Sequence, residues 1–251
     1  MNDQVATAPG GPAADLGPLF GLVRAECDLA VKATNALSAY VDTGGKEAAE
    51  RVRALDREAD SVRASGSAAL RNQFASSPLR EDVHRALNRM HEIVHYAATS
   101  IREMEVLKVH KDEHLRTMAA QIRTGTMALE RGFSKLAQGT TDVTAEVEAA
   151  RESERDAEEA YRAALGVLFD PRAFIHALDT REHSADTQFL GTYLRRGHED
   201  RHGAAATALA HVVDMFRKRE ILRHLSNAAD RVLYASDILD ELAADTAEEM
   251  G

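Results

Sequence analysis

Residues 55–97 read LDREADSVRASGSAALRNQFASSPLREDVHRALNRMHEIVHYA. Apolar residues recur at helical spacing on both sides of Ser77-Pro78, and proline is favoured in the first turn of a helix. The stretch therefore predicts two long helices joined by a short turn. Asp56 and Asp60 lie one helical turn apart in the first helix, so their carboxylates share one face.

The acidic pattern occurs again 96 residues later, at Glu152 and Asp156, and a Phe and a Pro follow each copy. The helix that begins near Arg80-Glu81 likewise resembles a later stretch, and in that pairing His91 corresponds to Asp230, 139 residues on. An internal duplication predicts a repeated architecture. The larger second offset predicts an insertion in the second copy.

The chain is predicted to be all-α, because helix-forming residues dominate and no run alternates in the way a strand does. We expect an antiparallel helical bundle of two pseudo-repeated three-helix units, with a helical insertion in the second unit. The expected segments are a disordered lead-in at 1–14, a first unit at 15–110 and a second unit at 111–251. The insertion would cover about 171–216, and the last helix about 216–248.

Composition excludes several classes of protein. The net charge is −10, which argues against nucleic acid or anionic lipid as a partner. A single cysteine, Cys27, excludes an intramolecular disulfide and a thiolate metal cluster. We find no signal peptide or transmembrane segment in the sequence, and we expect a cytoplasmic protein.

Two features indicate metal binding. Carboxylates one turn apart are suitable ligands for hard cations, and we expect the two acidic pairs to converge near the bundle axis. The helix after Pro78 also carries a polar stripe that includes His84, His91 and His95, and neutral imidazole binds transition metals. A solvated charged face interleaved with arginines remains the alternative for the acidic pairs.

Residues 55–97 resemble the helix 2–helix 3 signature of PhoU-like proteins, most closely the DUF47 branch. That signature is approximately L-E-x-x-A-D, F-x-T-P-x-D-R-E-D-I and L-D-D-I-x-D. Asp56 and Asp60 fill its acidic positions, and FASSPLREDV matches its middle block. Residues 152–169 and 219–239 are similar to the second-half equivalents. The last block is MHEIVH here, so two expected carboxylates are the imidazoles of His91 and His95.

The resemblance implies a regulator or accessory protein of inorganic phosphate transport, of the kind paired with Pit-type transporters. Such a protein would bind metal and dock on a membrane phosphate transporter or another protein, at the inner face of the membrane, and self-association stays open. The candidate metals are Fe, Zn, Mn and Mg. The candidate ligands that the resemblance implies are Asp56, Asp60, Glu152, Asp156 and Asp230. The polar stripe adds His91 and His95, with Glu81 and His84 as additional candidates.

Three alternatives remain from the sequence. His91-Glu92-Ile93-Val94-His95 is a literal H-E-x-x-H, the zinc peptidase motif, although no strand is predicted to hold an extended peptide. Glu-x-x-His occurs three times, ending at His84, His95 and His202, as in ferritin-like di-metal bundles. The third alternative is a protein-interaction role without metal. We expect that the protein is not an enzyme.

Overall fold

The computed structural model describes residues 16–170 and 201–250, and this part of the chain forms helices without any strand. The prediction of an all-α bundle is confirmed. The predicted lead-in at 1–14 and residues 171–200 of the predicted insertion lie outside the described residues. The helices are α1 (Gly17–Thr43), α2 (Lys46–Asn72), α3 (Arg80–Leu107), α4 (Glu113–Ala137), α5 (Thr144–Leu168) and α6 (Arg201–Met250).

The last helix is longer than predicted. It begins at Arg201, so residues 201–216, which were assigned to the insertion, form its first turns. The stretch 204–215 reads AAATALAHVVDM, which is rich in alanine and free of proline and glycine. Such a sequence continues a helix readily, and the expected start near 216 was therefore wrong.

Local signals explain where several helices begin and end. Gly44 follows α1 with φ of 71°, a left-handed conformation that glycine adopts at little cost, and its N–H donates to the carbonyl of Tyr40. Asp112 caps α4 by accepting a hydrogen bond from the Leu115 N–H at 3.1 Å. Lys218 of α6 also pairs with Asp112, which ties the start of α4 to the last helix.

The helices pack as two sets of three. Within each set, α1–α3 or α4–α6, every helix packs against the other two, and the sets meet where α1 packs on α4 and α3 on α6. This pattern is unchanged when α1, α2 and α3 are exchanged for α4, α5 and α6, as a duplicated unit requires. The boundary between residues 110 and 111 stays a prediction.

Small residues bring α4 close to its neighbours. A Cβ atom on Gly125 would overlap Ser153 of α5 and Val232 of α6, and one on Gly132 would overlap Leu239 of α6. The absence of a side chain at these positions allows the backbones to approach closely.

One side of the bundle carries α2, α3, α6 and α5 in packing order. In this row, α2 packs on α3, α3 on α6 and α6 on α5. The row contains every candidate ligand named from the sequence, because those residues lie on these four helices.

Candidate functional site

A cleft of about 610 Å³ lies between α2 and α3. Both helices contribute charged or polar side chains, and the cleft contains acidic, basic and imidazole groups. Its lining residues are Asp56, Asp60, Arg63, Arg85, Asn88, Arg89, His91, Glu92 and His95.

Two carboxylate–imidazole pairs cross this cleft. Asp60 Oδ1 lies 3.5 Å from His91 Nε2, and Asp56 Oδ1 lies 3.5 Å from His95 Nδ1. The pairs lie one helical turn apart because the two residues on each helix are four positions apart. Since α2 and α3 run antiparallel, Asp56 meets the later histidine, His95, and Asp60 meets His91. Two ligand atoms held about 2.1 Å from a tetrahedral ion lie about 3.4 Å apart. Each pair therefore has a spacing that suits a shared cation.

The pairs differ in burial. The His91 side chain is only 14% exposed, while that of its partner Asp60 is 64% exposed. A cation between them would be held from the protein side by the imidazole and would face solvent on the other side. Water or another oxygen ligand would complete its coordination shell.

Behind His91 lies a residue that the sequence analysis missed. Glu26 of α1 is fully buried, and its Oε1 lies 3.1 Å from His91 Nδ1. Its other oxygen, Oε2, is buried and has no hydrogen-bond partner among the described residues. Burial raises the pKa of the Glu26 carboxyl, and the hydrogen bond and charge of His91 oppose that shift only in part. The sequence could have indicated this residue, because Glu26 is an acidic residue at a position of α1 whose neighbours at helical spacing, Val23 and Ala30, are apolar and buried.

A second acidic group lies between α5 and α6. Burial, together with the charges of Asp230 and Glu158, raises the pKa of the Glu154 carboxyl. Burial also raises the pKa of Asp230; Arg231 opposes this shift, and Glu158 adds to it. Ser226 donates a hydrogen bond to Glu158 at 3.4 Å. The negative charge of these three carboxylates would attract a cation. Among the described residues, however, their oxygen atoms do not all lie within 4.8 Å of one another.

The second copy of the acidic pattern therefore has a different register from the one predicted. The buried positions of α2 recur in α5 at an offset of 98 residues, whereas the acidic pattern alone gave 96. The matching buried residues are Ala49, Val52, Leu55, Ala59 and Gly66 in α2, and Val147, Ala150, Ser153, Ala157 and Ala164 in α5.

With this register, Glu154 and Glu158 are the equivalents of Asp56 and Asp60. Glu152 and Asp156 are exposed, and they lie two residues before those positions. The shift arises because the buried small residues decide which face of a helix meets its neighbours, while acidic residues also occur on the solvent side.

The expected convergence of the two acidic pairs near the bundle axis is not found. α2 packs on α1 and α3, whereas α5 packs on α4 and α6. Between them, Glu92 Oε2 lies 2.8 Å from Arg89 Nη1 and 2.8 Å from Arg231 Nε. The α3–α6 seam thus places two guanidinium groups between the acidic sites, which are separate.

The same ion pairs bear on the H-E-x-x-H motif. His91 and His95 face α2, but Glu92, the residue that would act as base, is engaged by Arg89 and Arg231. A general base needs a free carboxylate within reach of the metal-bound water. The geometry therefore disfavours a zinc hydrolase at this motif.

The additional candidates, Glu81 and His84, are not among the residues that line the cleft. His84 Nε2 lies 3.3 Å from Asn88 Nδ2, and Asn88 lines the cleft. Glu81 is exposed and pairs with its neighbour Arg80. Neither side chain contacts the two carboxylate–imidazole pairs directly.

The sequence analysis also missed a third cluster. Glu103 of α3 and Glu220 and His224 of α6 place one ligand atom each within 4.8 Å of the others. His224 Nε2 lies 2.9 Å from Glu103 Oε2, and Glu220 pairs with Arg223. These contacts form an ion-pair network between α3 and α6.

In residues 16–170 and 201–250, no helix combines the length and apolar character needed to cross a lipid bilayer.

The similarity of this chain to known proteins lies in its structure. No protein-family model matches the sequence, and no curated protein matches it significantly. Among solved structures, the chain is similar to the crystal structure of PhoU from Pseudomonas aeruginosa, with a TM-score of 0.62 and 14% sequence identity. The similarity covers 92% of this chain and 98% of that one. The chain therefore has a PhoU-like fold.

Proposed function

We propose that this protein is an accessory or regulatory protein of inorganic phosphate transport. The observation that carries the proposal is the PhoU-like fold, because the similarity to the solved PhoU structure covers 92% of the chain. The acidic residues found in each half support it. The sequence resemblance to phosphate-transport regulators supports the same role. In this role the protein acts by binding, as a cytoplasmic partner of a membrane phosphate transporter.

Metal binding is the second part of the proposal. The α2–α3 cleft would hold a cation through Asp60 and His91, with Asp56 and His95 one turn away at the same spacing. Glu154, Glu158 and Asp230 would hold a second cation between α5 and α6. The bound ion would neutralise acidic side chains and fix the relative position of two helices, giving the partner a rigid surface.

The spacing of the first pairs and the charge of the second group support this arrangement. Carboxylate and imidazole atoms 3.5 Å apart suit a bridging ion. Mutually repelling carboxylates that are partly buried gain stability when a cation joins them.

A test of the transport role uses cells that lack this protein. Uptake of labelled phosphate, and its response to external phosphate, is measured with and without the wild-type protein and its Asp60→Asn variant. We expect the wild-type protein to restore normal regulation and Asp60→Asn to fail. Asp156→Asn, a change at an exposed acidic residue, is the control and should restore regulation as the wild type does. Unchanged uptake on deletion would contradict the transport role.

The ferritin-like alternative has less support. Ferritin-like sites place Glu-x-x-His motifs on two helices that face a common interior. Here Glu81 and His84 lie on the same helix as Glu92 and His95, and Glu81 is exposed. The third motif ends at His202 and lies outside the side chains that the structure describes.

A further inference from the structure

Glu26 occupies an unusual position under the α2–α3 cleft. It is fully buried, Oε1 lies 3.1 Å from His91 Nδ1, and Oε2 has no hydrogen-bond partner in residues 16–170 and 201–250. Placing a carboxylate in the interior with one unpartnered oxygen costs free energy. Within the part of the chain that the structure describes, the side chain of Glu26 has one hydrogen bond, and its partner, His91, lines the cleft. The effect of Glu26 therefore falls on the cleft.

The contact has a direct consequence for the imidazole of His91. When Nδ1–H donates to Glu26, the neutral ring carries its lone pair on Nε2. Nε2 is the atom that faces the cleft, 3.5 Å from Asp60 Oδ1. Histidines that bind metals commonly donate their second N–H to a carboxylate, which fixes the tautomer and raises the basicity of the ligand.

We propose that Glu26 is a positioning residue that holds His91 with the Nε2 lone pair toward Asp60, and thereby makes the α2–α3 cleft selective for a transition cation such as Zn²⁺ over Mg²⁺. This inference rests on the proposed metal-binding function and adds a residue and a cation class to it. Neutral imidazole suits Zn²⁺ well, whereas Mg²⁺ prefers oxygen ligands in an octahedral shell.

In the second half, the described residues 111–170 and 201–250 contain no buried acidic counterpart of Glu26. α4 takes the place of α1 in the second unit, and none of its buried residues is acidic. The ligand candidates between α5 and α6 are the carboxylates of Glu154, Glu158 and Asp230, with no imidazole among them. The two sites thus differ in chemistry, and the second suits hard cations such as Mg²⁺ or Mn²⁺.

The variant Glu26→Gln tests the proposal in the full-length protein. Glutamine has nearly the same size, but it lacks the charge and can accept from Nδ1–H or donate to a bare Nδ1, so it no longer selects one tautomer. We expect the affinity for Zn²⁺, measured by calorimetry, to fall about 10- to 100-fold. Mg²⁺ binding should be unchanged. Asp28→Asn, an exposed change two residues away on the same helix, is the matched control and should leave Zn²⁺ affinity unaltered.

A second measurement separates positioning from a general effect on the fold. The ¹⁵N resonances of the His91 ring in the metal-free wild-type protein should show Nδ1 protonated, and Glu26→Gln should give a mixture of tautomers. In a His91→Ala background, Glu26→Gln should no longer change Zn²⁺ affinity. Thermal unfolding followed by circular dichroism checks that each variant is folded.

Several outcomes would overturn the inference. A wild-type His91 with Nε2 protonated would do so without any variant, as would a Glu26→Gln protein that keeps full Zn²⁺ affinity. An effect of Glu26→Gln that persists in the His91→Ala background would place its action elsewhere. If the wild-type protein binds no Zn²⁺, the metal part of the proposed function fails as well. If phosphate uptake proves independent of the protein while Glu26→Gln still weakens Zn²⁺ binding, the transport role fails and the inference stands.

Discussion

At the scale of single residues, His91 links three helices. Its Nδ1 faces Glu26 of α1 and its Nε2 faces Asp60 of α2, while its backbone belongs to α3. The PhoU-like signature that residues 55–97 resemble has a carboxylate at this position. A third acidic group beside Glu26 and Asp60 would add repulsion, whereas an imidazole can donate its Nδ1–H to Glu26 and offer Nε2 to a cation shared with Asp60. Exchange of Asp for His is therefore compatible with the buried glutamate beneath it.

The corrected register of α5 makes a prediction at this scale. In a protein whose first cleft is disabled by Asp60→Asn, we expect Glu154→Gln to weaken Mn²⁺ binding at least about tenfold, because a carboxylate ligand is lost. Glu152→Gln, the matched change two residues earlier on the exposed face, should leave Mn²⁺ affinity unchanged. Calorimetric titration measures both. If Glu152→Gln weakened Mn²⁺ binding more than Glu154→Gln did, the repeat offset would be 96 residues, and the assignment made from burial would be wrong.

At the scale of helices, the close approach of α4 to α5 and α6 depends on glycine. Gly125→Ala should lower the free energy of unfolding by about 1–3 kcal/mol, because the new methyl group overlaps Ser153 and Val232. Gly166→Ala is the control, since a Cβ atom there meets no atom within 4 Å. That change should raise stability by up to about 1 kcal/mol through helix propensity alone. Urea unfolding compares the two, and equal effects would contradict the packing described for α4.

The start of α4 provides a pH-dependent prediction. Burial raises the pKa of Asp112, but the hydrogen bonds from Lys218 and from the Leu115 N–H outweigh it, so the pKa in the folded protein is below its usual value. The unfolded chain then binds the proton more readily. The stability that ionised Asp112 contributes is therefore present above about pH 4 and is lost as the pH falls through the folded pKa.

Two variants separate the cap from the ion pair at this position. Asp112→Ala should cost about 1–2 kcal/mol at pH 7, because both the helix cap and the pair with Lys218 are lost. Asp112→Asn keeps the capping oxygen and should cost less. The difference in free energy of unfolding between each variant and the wild type, measured by urea unfolding, should shrink as the pH is lowered below 4. If the loss of unfolding free energy in Asp112→Asn did not depend on pH, the charge of Asp112 would contribute nothing to stability.

The helices themselves follow from the sequence, and the contacts between them only in part. Proline at 78 and Gly44 mark real helix boundaries because they act on the local backbone. The offset of the repeat was misjudged because acidic residues are abundant, at 41 of 251 positions, and many of them are simply solvated. Buried alanines such as Ala59 and Ala157 carry the true register, but alanine is common on both faces of helices.

The residues of the candidate site were likewise predictable from the sequence only in part. Asp56, Asp60, His91 and His95 were identified from spacing on two consecutive helices, and the structure places them on the two walls of one cleft. Glu26 could not be assigned to them, because its contact with His91 spans 65 residues and depends on the packing of α1. A pattern within one helix carries no information about which distant helix will cover it.

At the scale of the whole molecule, metal should stabilise the bundle, because each site joins two helices. A ligand that binds only the folded state at 100 times its Kd adds about 2.7 kcal/mol, and for a chain of this size each kcal/mol raises Tm by about 2–4 °C. We therefore expect a rise of several degrees with Zn²⁺ or Mn²⁺ that EDTA reverses. Asp60→Asn should lose part of the rise, and Glu152→Gln should keep all of it. A melting temperature that is insensitive to these metals would contradict folded-state binding.

We propose that each half of this PhoU-like bundle presents its own cation site on the row of helices α2, α3, α6 and α5. Anomalous diffraction from crystals of the protein prepared with Zn²⁺ and Mn²⁺ tests it most directly. We predict one peak between Asp60 Oδ1 and His91 Nε2 and a second beside Glu154, Glu158 and Asp230. A map without peaks at both places, or with a peak only at Glu103, Glu220 and His224, would contradict it.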